Sequence, residues 1–179
     1  LIDQFLRDTA NKRADGWGGP VANRIRFLEG AVDACVAVWG PGRVGVRLSP
    51  FSNANNVGID SDTPALFGAA IAALNDRPLA YVHMVEGQTG GPRDWPAGAL
   101  EALRDAIRAP YIANNGYERD SAIAAVATGT AAAVAFGKPF IANPDLVARL
   151  ERDAAWNPLR LALMYGGGAE GCTDYPVLP

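Results

Sequence analysis

The sequence predicts an α/β fold with a parallel sheet, and two patterns in the chain carry this prediction. Short segments that are apolar throughout alternate with segments of helical periodicity. Strands that are apolar on both faces are typical of parallel sheets covered by helices. The strand–helix unit also recurs four times at intervals of roughly thirty residues, as in a (β/α) barrel. Because a closed barrel needs eight units, either the chain supplies half of a barrel or its sheet is open and doubly wound.

A loop and a helix precede the first unit. Residues 1–20 are polar and rich in glycine, which predicts a long loop. Pro20 suits the first turn of a helix, and apolar residues from Ile25 to Trp39 recur at helical spacing. Gly40 is expected to end this helix as its C-terminal cap.

Four strand–helix units follow. The strands are predicted at residues 44–48, 79–85, 111–113 and 131–136. Asp62 is a suitable N-cap for the first helix, which continues to Leu74. The later helices are predicted around residues 100–107, from 118 to 129 and from 143 to 152, with turns between them and an irregular tail after them. One such turn is Gly137-Lys138-Pro139.

Composition argues against several kinds of partner. The net charge is −3, so no face is expected to bind a nucleic-acid backbone or an anionic membrane. Cys35 and Cys172 lack metal-ligand spacing, and Cys35 is predicted on the apolar face of the helix at residues 20–39. Reduced cysteines favour a cytoplasmic location. With a single histidine, His83, no metal site is predicted, and a buried strand histidine with satisfied hydrogen bonds is the more common case.

Candidate site residues lie where the predicted strands end. In parallel α/β sheets, ligands bind at the carboxyl ends of the strands. Arg47 ends the first strand, where its charge needs either a polar ligand or a structural ion pair. Asn115 and Gly116 follow the third strand, and Gly137 and Lys138 follow the fourth. These four residues are either ordinary turn residues or a phosphate site, in which the backbone amides and the lysine would bind the anion.

Several motifs together resemble the Old Yellow Enzyme family of flavoproteins. The resemblance spans nearly the whole chain in the family's order. The similar segments are residues 1–6, 11–13, 18–19, 23–27, 44–50, 112–117, 135–146, 165–168 and 173–176. Segments 44–50, 112–117 and 135–146 resemble the family's fifth, seventh and eighth strands with the loops that follow them. The chain is therefore expected to be the C-terminal half, strands five to eight, of a TIM (β/α)8 barrel, with residues 1–179 forming one half-barrel.

The resemblance implies a role for particular residues. The family binds FMN non-covalently, takes hydride from NAD(P)H and reduces activated C=C bonds such as those of enones. Arg47 would contact the N1/C2-carbonyl edge of the flavin, while Asn115, Gly116, Gly137 and Lys138 would bind the FMN phosphate. Tyr175 would line the substrate side. Lys138 replaces the family's usual arginine, and Asn115 replaces a usual glycine.

The resemblance also implies what this chain needs. The family's His-x-x-Asn or His-x-x-His pair and its proton-donating tyrosine would precede Leu1, so no catalytic residue is expected here. The isolated chain is expected to be inactive without the complementary N-terminal half-barrel. The alternative is a non-catalytic half-barrel that associates with a second copy of itself and keeps at most a residual phosphate site. A phosphate-binding aldolase is weaker, because no predicted strand carries a lysine.

Overall fold

The four predicted strands form one parallel sheet. The computed structural model of the chain describes residues 1–165 and 168–179. The strands are β1 (Gly45–Leu48), β2 (Tyr81–Val85), β3 (Tyr111–Asn114) and β4 (Ala133–Ala135). They lie side by side in the order β1-β2-β3-β4, and each neighbouring pair is parallel. A doubly wound sheet reverses its strand order at a switch point, and this sheet does not. The predicted parallel α/β architecture is therefore confirmed in its barrel-like form.

Helices precede the sheet and connect its strands. The α-helices are α1 (Ile2–Leu6), α2 (Val21–Arg24), α3 (Arg26–Trp39), α4 (Thr63–Asn75), α5 (Ala99–Asp105), α6 (Arg119–Ala127), α7 (Lys138–Ala142) and α8 (Leu146–Arg152). Short 3-10 turns occupy Ala54–Asn56 and Leu161–Leu163. The Asp62 carboxylate caps α4 by accepting a hydrogen bond of 3.1 Å from the amide of Ala65, as its sequence position predicts.

Three sequence expectations about local structure are wrong. The loop predicted for residues 1–20 contains α1, which buries Leu6 and is followed by Arg7, whose hydrogen bonds to the loop after β1 hold it in place. The single helix predicted from Pro20 is divided at Ile25 into α2 and α3. The turn predicted at Gly137-Lys138-Pro139 is the start of α7, because a proline in the first turn fits a helix as well as a turn.

Side chains on the two faces of the sheet have different surroundings. Val82 and Met84 of β2 and Ala113 of β3 are at most 2% exposed and belong to the same core as Phe67 and Ile71 of α4. Burying one large apolar side chain contributes about 1.5–3 kcal/mol. Residues alternate between the faces of a strand, so the residues between these core positions lie on the inner, concave face.

Buried arginines fix the segment that leads into the sheet. Arg7 has no exposed surface and donates to the carbonyl oxygens of Ser49 and Gly58, just beyond β1. Arg24 and Asp60 form a buried ion pair, and the Asp60 carboxylate also accepts from the amides of Asp8 and Asp62. These contacts hold α1, α2 and the loop after β1 together.

Two further features concern the surface. Cys35, expected on the apolar face of its helix, is exposed, as is Cys172, and neither forms a disulfide. Within residues 1–165 and 168–179, none of the helices has both the length and the apolar character required to cross a membrane.

Replacing Asp60 with Asn should destabilise the chain strongly. The substitution keeps the side-chain shape but leaves the Arg24 guanidinium buried without its counter-charge, which costs about 3 kcal/mol or more. Urea unfolding followed by circular dichroism measures the change. Asp15→Asn is the matched control, because the Arg13–Asp15 pair is half exposed and its loss should barely move the unfolding midpoint. Equal midpoints for the two variants would show that the buried pair contributes no more than the surface pair.

Candidate functional site

The predicted cofactor residues line one cleft at the carboxyl ends of the strands. The cleft has a volume of about 690 Å³, and Arg47, Asn115, Gly116, Gly137 and Lys138 all contribute to its wall. They come from the ends of β1, β3 and β4, which parallel alignment brings to the same edge of the sheet. The structure thus brings together five residues that are up to 91 positions apart in the sequence, from Arg47 to Lys138.

Asn115 shapes the backbone of the cleft rather than offering its side chain. Its φ angle is 103°, a conformation that favours glycine and that asparagine tolerates better than most residues. Its amide nitrogen donates to the carbonyl oxygens of Glu86 at 2.7 Å and Gln88 at 2.9 Å. The side chain therefore holds the loop that follows β2 against the end of β3.

Three backbone amides in the cleft are available to an anion. The amides of Gly116, Gly137 and Lys138 donate no hydrogen bond to any residue in the described part of the chain. Gly116 has a φ angle of 66°, and Gly137 is the N-cap residue of α7. Free amides in such a turn are the usual donors to bound phosphate.

Positive charge lies beside these amides. The Lys138 ammonium group donates to the carbonyl oxygen of Gly90 at 3.2 Å, which connects α7 to the loop after β2. Arg47 donates to the Asn114 side-chain oxygen at 3.3 Å. Arg47 has no ion pair with any carboxylate of residues 1–165 and 168–179, so the structural ion pair considered for it finds no support.

His83 also lines the cleft and is not the satisfied core residue that was expected. It is half-buried, and its Nε2 atom is buried without a hydrogen-bond partner among the described residues. Burial lowers the pKa of His83 below its usual 6.5, and the charge of Arg47 lowers it further. The ring is therefore uncharged at neutral pH, next to the Arg47 side chain.

A buried carboxylate beneath the cleft was not singled out from the sequence as a structural centre. Glu86 is 2% exposed and accepts hydrogen bonds from the hydroxyl groups of Tyr111 and Tyr117, both at 2.8 Å, and from the Arg93 guanidinium. Burial, together with Glu86, raises the pKa of Tyr117 to about 12 and raises that of Tyr111 further. A glutamate that directly follows an apolar strand is the sequence signal for such a cluster.

Tyr175 is not brought together with the other five candidates. It is 8% exposed, and its hydroxyl oxygen accepts a hydrogen bond of 2.9 Å from the amide of Arg160. The Arg160 guanidinium lies 4.5 Å from the centre of its ring. In this arrangement Tyr175 packs within the C-terminal segment. The nearby motif at residues 165–168 includes Gly166 and Gly167, which lie outside the described residues.

Fold and cleft define a class of protein: half of a parallel (β/α) barrel with a cleft, lined by free backbone amides and cationic side chains, at the carboxyl ends of its strands. Residues 1–157 match the model of the NADH:flavin oxidoreductase / NADH oxidase family, and the chain belongs to this family. The family consists of FMN-dependent oxidoreductases with a nicotinamide reductant. The predicted resemblance and the half-barrel fold are both confirmed.

Curated relatives and solved structures agree with this assignment. The chain is 41% identical to 12-oxophytodienoate reductase 1 of Oryza sativa subsp. japonica and 38% identical to 12-oxophytodienoate reductase 2 of Arabidopsis thaliana, in each case over 99% of this chain and 48% of the relative. A structure of morphinone reductase in complex with tetrahydroNAD is 40% identical and has a TM-score of 0.90, over all of this chain and 48% of that one. The chain spans about half the length of the relatives it matches.

Replacing Asn115 with Ala should destabilise the chain more than replacing it with Gly. Both variants lose the hydrogen bonds to the loop after β2, but only alanine carries a Cβ atom that strains the positive φ angle, at a cost of about 1–2 kcal/mol. The comparison of Asn115→Ala with Asn115→Gly in thermal or urea unfolding therefore isolates the backbone strain. If the alanine variant were as stable as the glycine variant, the positive φ angle would not be a constraint at this position.

Proposed function

We propose that this chain supplies the C-terminal wall of an FMN site in an oxidoreductase that takes hydride from NAD(P)H and reduces activated C=C bonds of small molecules such as enones. The observation that carries the proposal is the cleft in which Arg47, Asn115, Gly116, Gly137 and Lys138 meet. Family membership supplies the cofactor and the class of reaction. We assign FMN binding to these five residues.

The residues fit both ends of FMN. The unpartnered amides of Gly116, Gly137 and Lys138, with the Lys138 ammonium group, suit a phosphate. Arg47, which has a neutral partner in Asn114, suits the edge of an isoalloxazine ring that gains negative charge on reduction. The unpartnered Nε2 atom of the uncharged His83 offers a further polar contact on the same wall.

Each residue contributes binding or electrostatics rather than proton transfer. When bound, FMN supplies the hydride-carrying chemistry. Lys138 and the three amides would hold the phosphate and so fix the position of the ring along the cleft. Arg47 would favour the reduced, negatively charged ring over the neutral one. Among the described residues of the cleft we assign no proton donor to the alkene, so activity requires residues from the complementary N-terminal half-barrel.

The open edges of the sheet support the proposal that a complementary half-barrel is needed. Among the residues that the structure describes, strands β1 and β4 each pair on one side only. An apolar groove of about 230 Å³ beside β1 is lined by residues of α1, α3 and β1, including Leu6, Val32 and Val46. An uncovered parallel edge with an apolar groove favours further strand pairing.

The open sheet edges also support the second candidate, a non-catalytic half-barrel that pairs with a second copy and keeps a residual phosphate site. A preparation that contains only this chain, self-associated and without flavin absorbance, would favour it.

Two finer predictions remain. Tyr175 as a substrate-side residue stays a prediction from the family resemblance, and within this chain its ring and hydroxyl group contact Arg160. A cytoplasmic location stays a prediction from the unpaired cysteines.

Arg47→Ala should slow flavin reduction in the protein that carries both half-barrels. Loss of the positive charge removes stabilisation of the reduced ring, which we expect to lower the reduction rate about tenfold to a thousandfold, as for other charge-stabilising donors. Stopped-flow bleaching of flavin absorbance by NADH or NADPH measures it. Arg47→Lys is the control and should restore part of the rate because it keeps the charge. Unchanged reduction kinetics in Arg47→Ala would remove the role assigned to Arg47.

Lys138→Ala should weaken FMN binding and leave the fold intact. A charge-assisted hydrogen bond contributes about 1.5–3 kcal/mol, which corresponds to roughly a tenfold to hundredfold increase in the Kd for FMN. Quenching of flavin fluorescence measures the Kd. Lys138→Arg is the matched variant, and its bidentate guanidinium should bind FMN at least as tightly as lysine does. A Kd that is the same in the alanine variant would contradict the phosphate assignment.

A further inference from the structure

The side chain of Arg47 crosses the inner face of the sheet to reach Asn114. Arg47 on β1 is in register with His83 on β2, which is in register with Ile112 on β3. Asn114 lies two residues beyond Ile112 and therefore on the same face. Because neighbouring strands are about 4.8 Å apart, the Arg47 side chain must extend across β2 to place its Nη2 atom 3.3 Å from the Asn114 Oδ1 atom.

Asn114 is held from its other side. Its Nδ2 atom donates to the carbonyl oxygen of Ala135 on β4 at 2.7 Å. Since the amide nitrogen is used on β4, the amide oxygen faces back across the sheet towards Arg47. One carboxamide thus connects the guanidinium of β1 to the backbone of β4.

A neutral acceptor has a particular consequence for Arg47. A carboxylate at position 114 would compensate the guanidinium charge, whereas an amide oxygen orients the group and leaves the charge uncompensated. An unrestrained arginine at an open cleft would sample many rotamers, and its average position would be less well defined. Asn114 therefore orients the Arg47 guanidinium without neutralising its charge.

We propose that Asn114 is a positioning residue, which holds the Arg47 guanidinium across the inner face of the sheet so that its positive charge is available to a negatively charged ring edge in the cleft. This inference rests on the proposed function for the identity of the ligand. The contact between Asn114 and Arg47 does not depend on that identity and is tested separately.

The only histidine of the chain reports on Arg47 without any flavin. His83 lies under the path of the Arg47 side chain, and the guanidinium charge lowers its pKa. In the 179-residue chain labelled with ¹³C at histidine Cε1, NMR gives a single resonance whose pH titration yields the His83 pKa. Asn114→Ala should release Arg47 and raise this pKa towards 6.5. The other charged groups that line the cleft, Lys138 and Glu118, are the same in every variant.

A double-mutant cycle separates positioning from a general change in the cleft. Arg47→Met should raise the His83 pKa, and adding Asn114→Ala to Arg47→Met should change it no further. Asn115→Gly is the neighbouring control, because the Asn115 side chain binds only the loop after β2, and it should leave the His83 pKa unchanged. If Asn114→Ala fails to fold, Asn114→Val serves in its place, since valine suits a strand. The same His83 pKa in the wild-type chain and in either Asn114 variant would overturn the proposal.

Flavin measurements then test the consequence for the proposed chemistry. In the protein with both half-barrels, Asn114→Ala should weaken binding of reduced FMN relative to oxidised FMN by about threefold to tenfold. For a two-electron couple this ratio lowers the midpoint potential by about 14–30 mV. An unchanged potential would overturn the role of Asn114 towards the ring. Failure of the whole protein to bind FMN would instead contradict the proposed function, and the His83 titration would still decide whether Asn114 holds Arg47.

Discussion

The buried carboxylate of Glu86 is the interaction on which the cleft depends. A carboxyl group that is 2% exposed is costly to bury unless it is paired and hydrogen-bonded. Its partners are Tyr111 at the start of β3, Tyr117 in the loop after β3 and Arg93 in the loop after β2. The hydrogen bonds of one carboxyl group therefore join three segments of the chain. The Asn115 side chain then binds the Glu86 backbone. This arrangement fixes the chain at Asn115 and therefore the position of the Gly116 amide that follows it.

The two cationic side chains of the cleft have neutral hydrogen-bond partners rather than carboxylate counter-ions. Arg47 is bound to an amide oxygen and Lys138 to a backbone carbonyl, which leaves both charges uncompensated within the described residues. His83, beside Arg47, is uncharged, so it adds no repulsion. The buried arginines of the described residues, Arg7, Arg24 and Arg149, each pair with a carboxylate instead. Uncompensated cations beside free amides support the proposal that the cleft serves an anionic ligand.

Much of the fold and of the cleft could be predicted from the sequence, for identifiable reasons. The apolar runs around Val82 and Ala113 are signals that do not depend on distant residues, and parallel order then brings the residues after β3 and β4 to one edge. The sequence could not reveal that α1 forms, because a five-residue helix is stable only through contacts such as those of Arg7. Nor could the sequence predict the contacts of the Asn114 side chain, because its partners Arg47 and Ala135 lie on β1 and β4, which are distant from β3 in the sequence.

The claim that this cleft binds FMN is tested most directly by a crystal structure of the protein with both half-barrels, determined from crystals grown with FMN. We expect the phosphate within hydrogen-bond distance of the Gly116 and Gly137 amides and the Lys138 ammonium group, with Arg47 against the edge of the ring. A flavin bound elsewhere, or a phosphate held only by residues outside this chain, would contradict it.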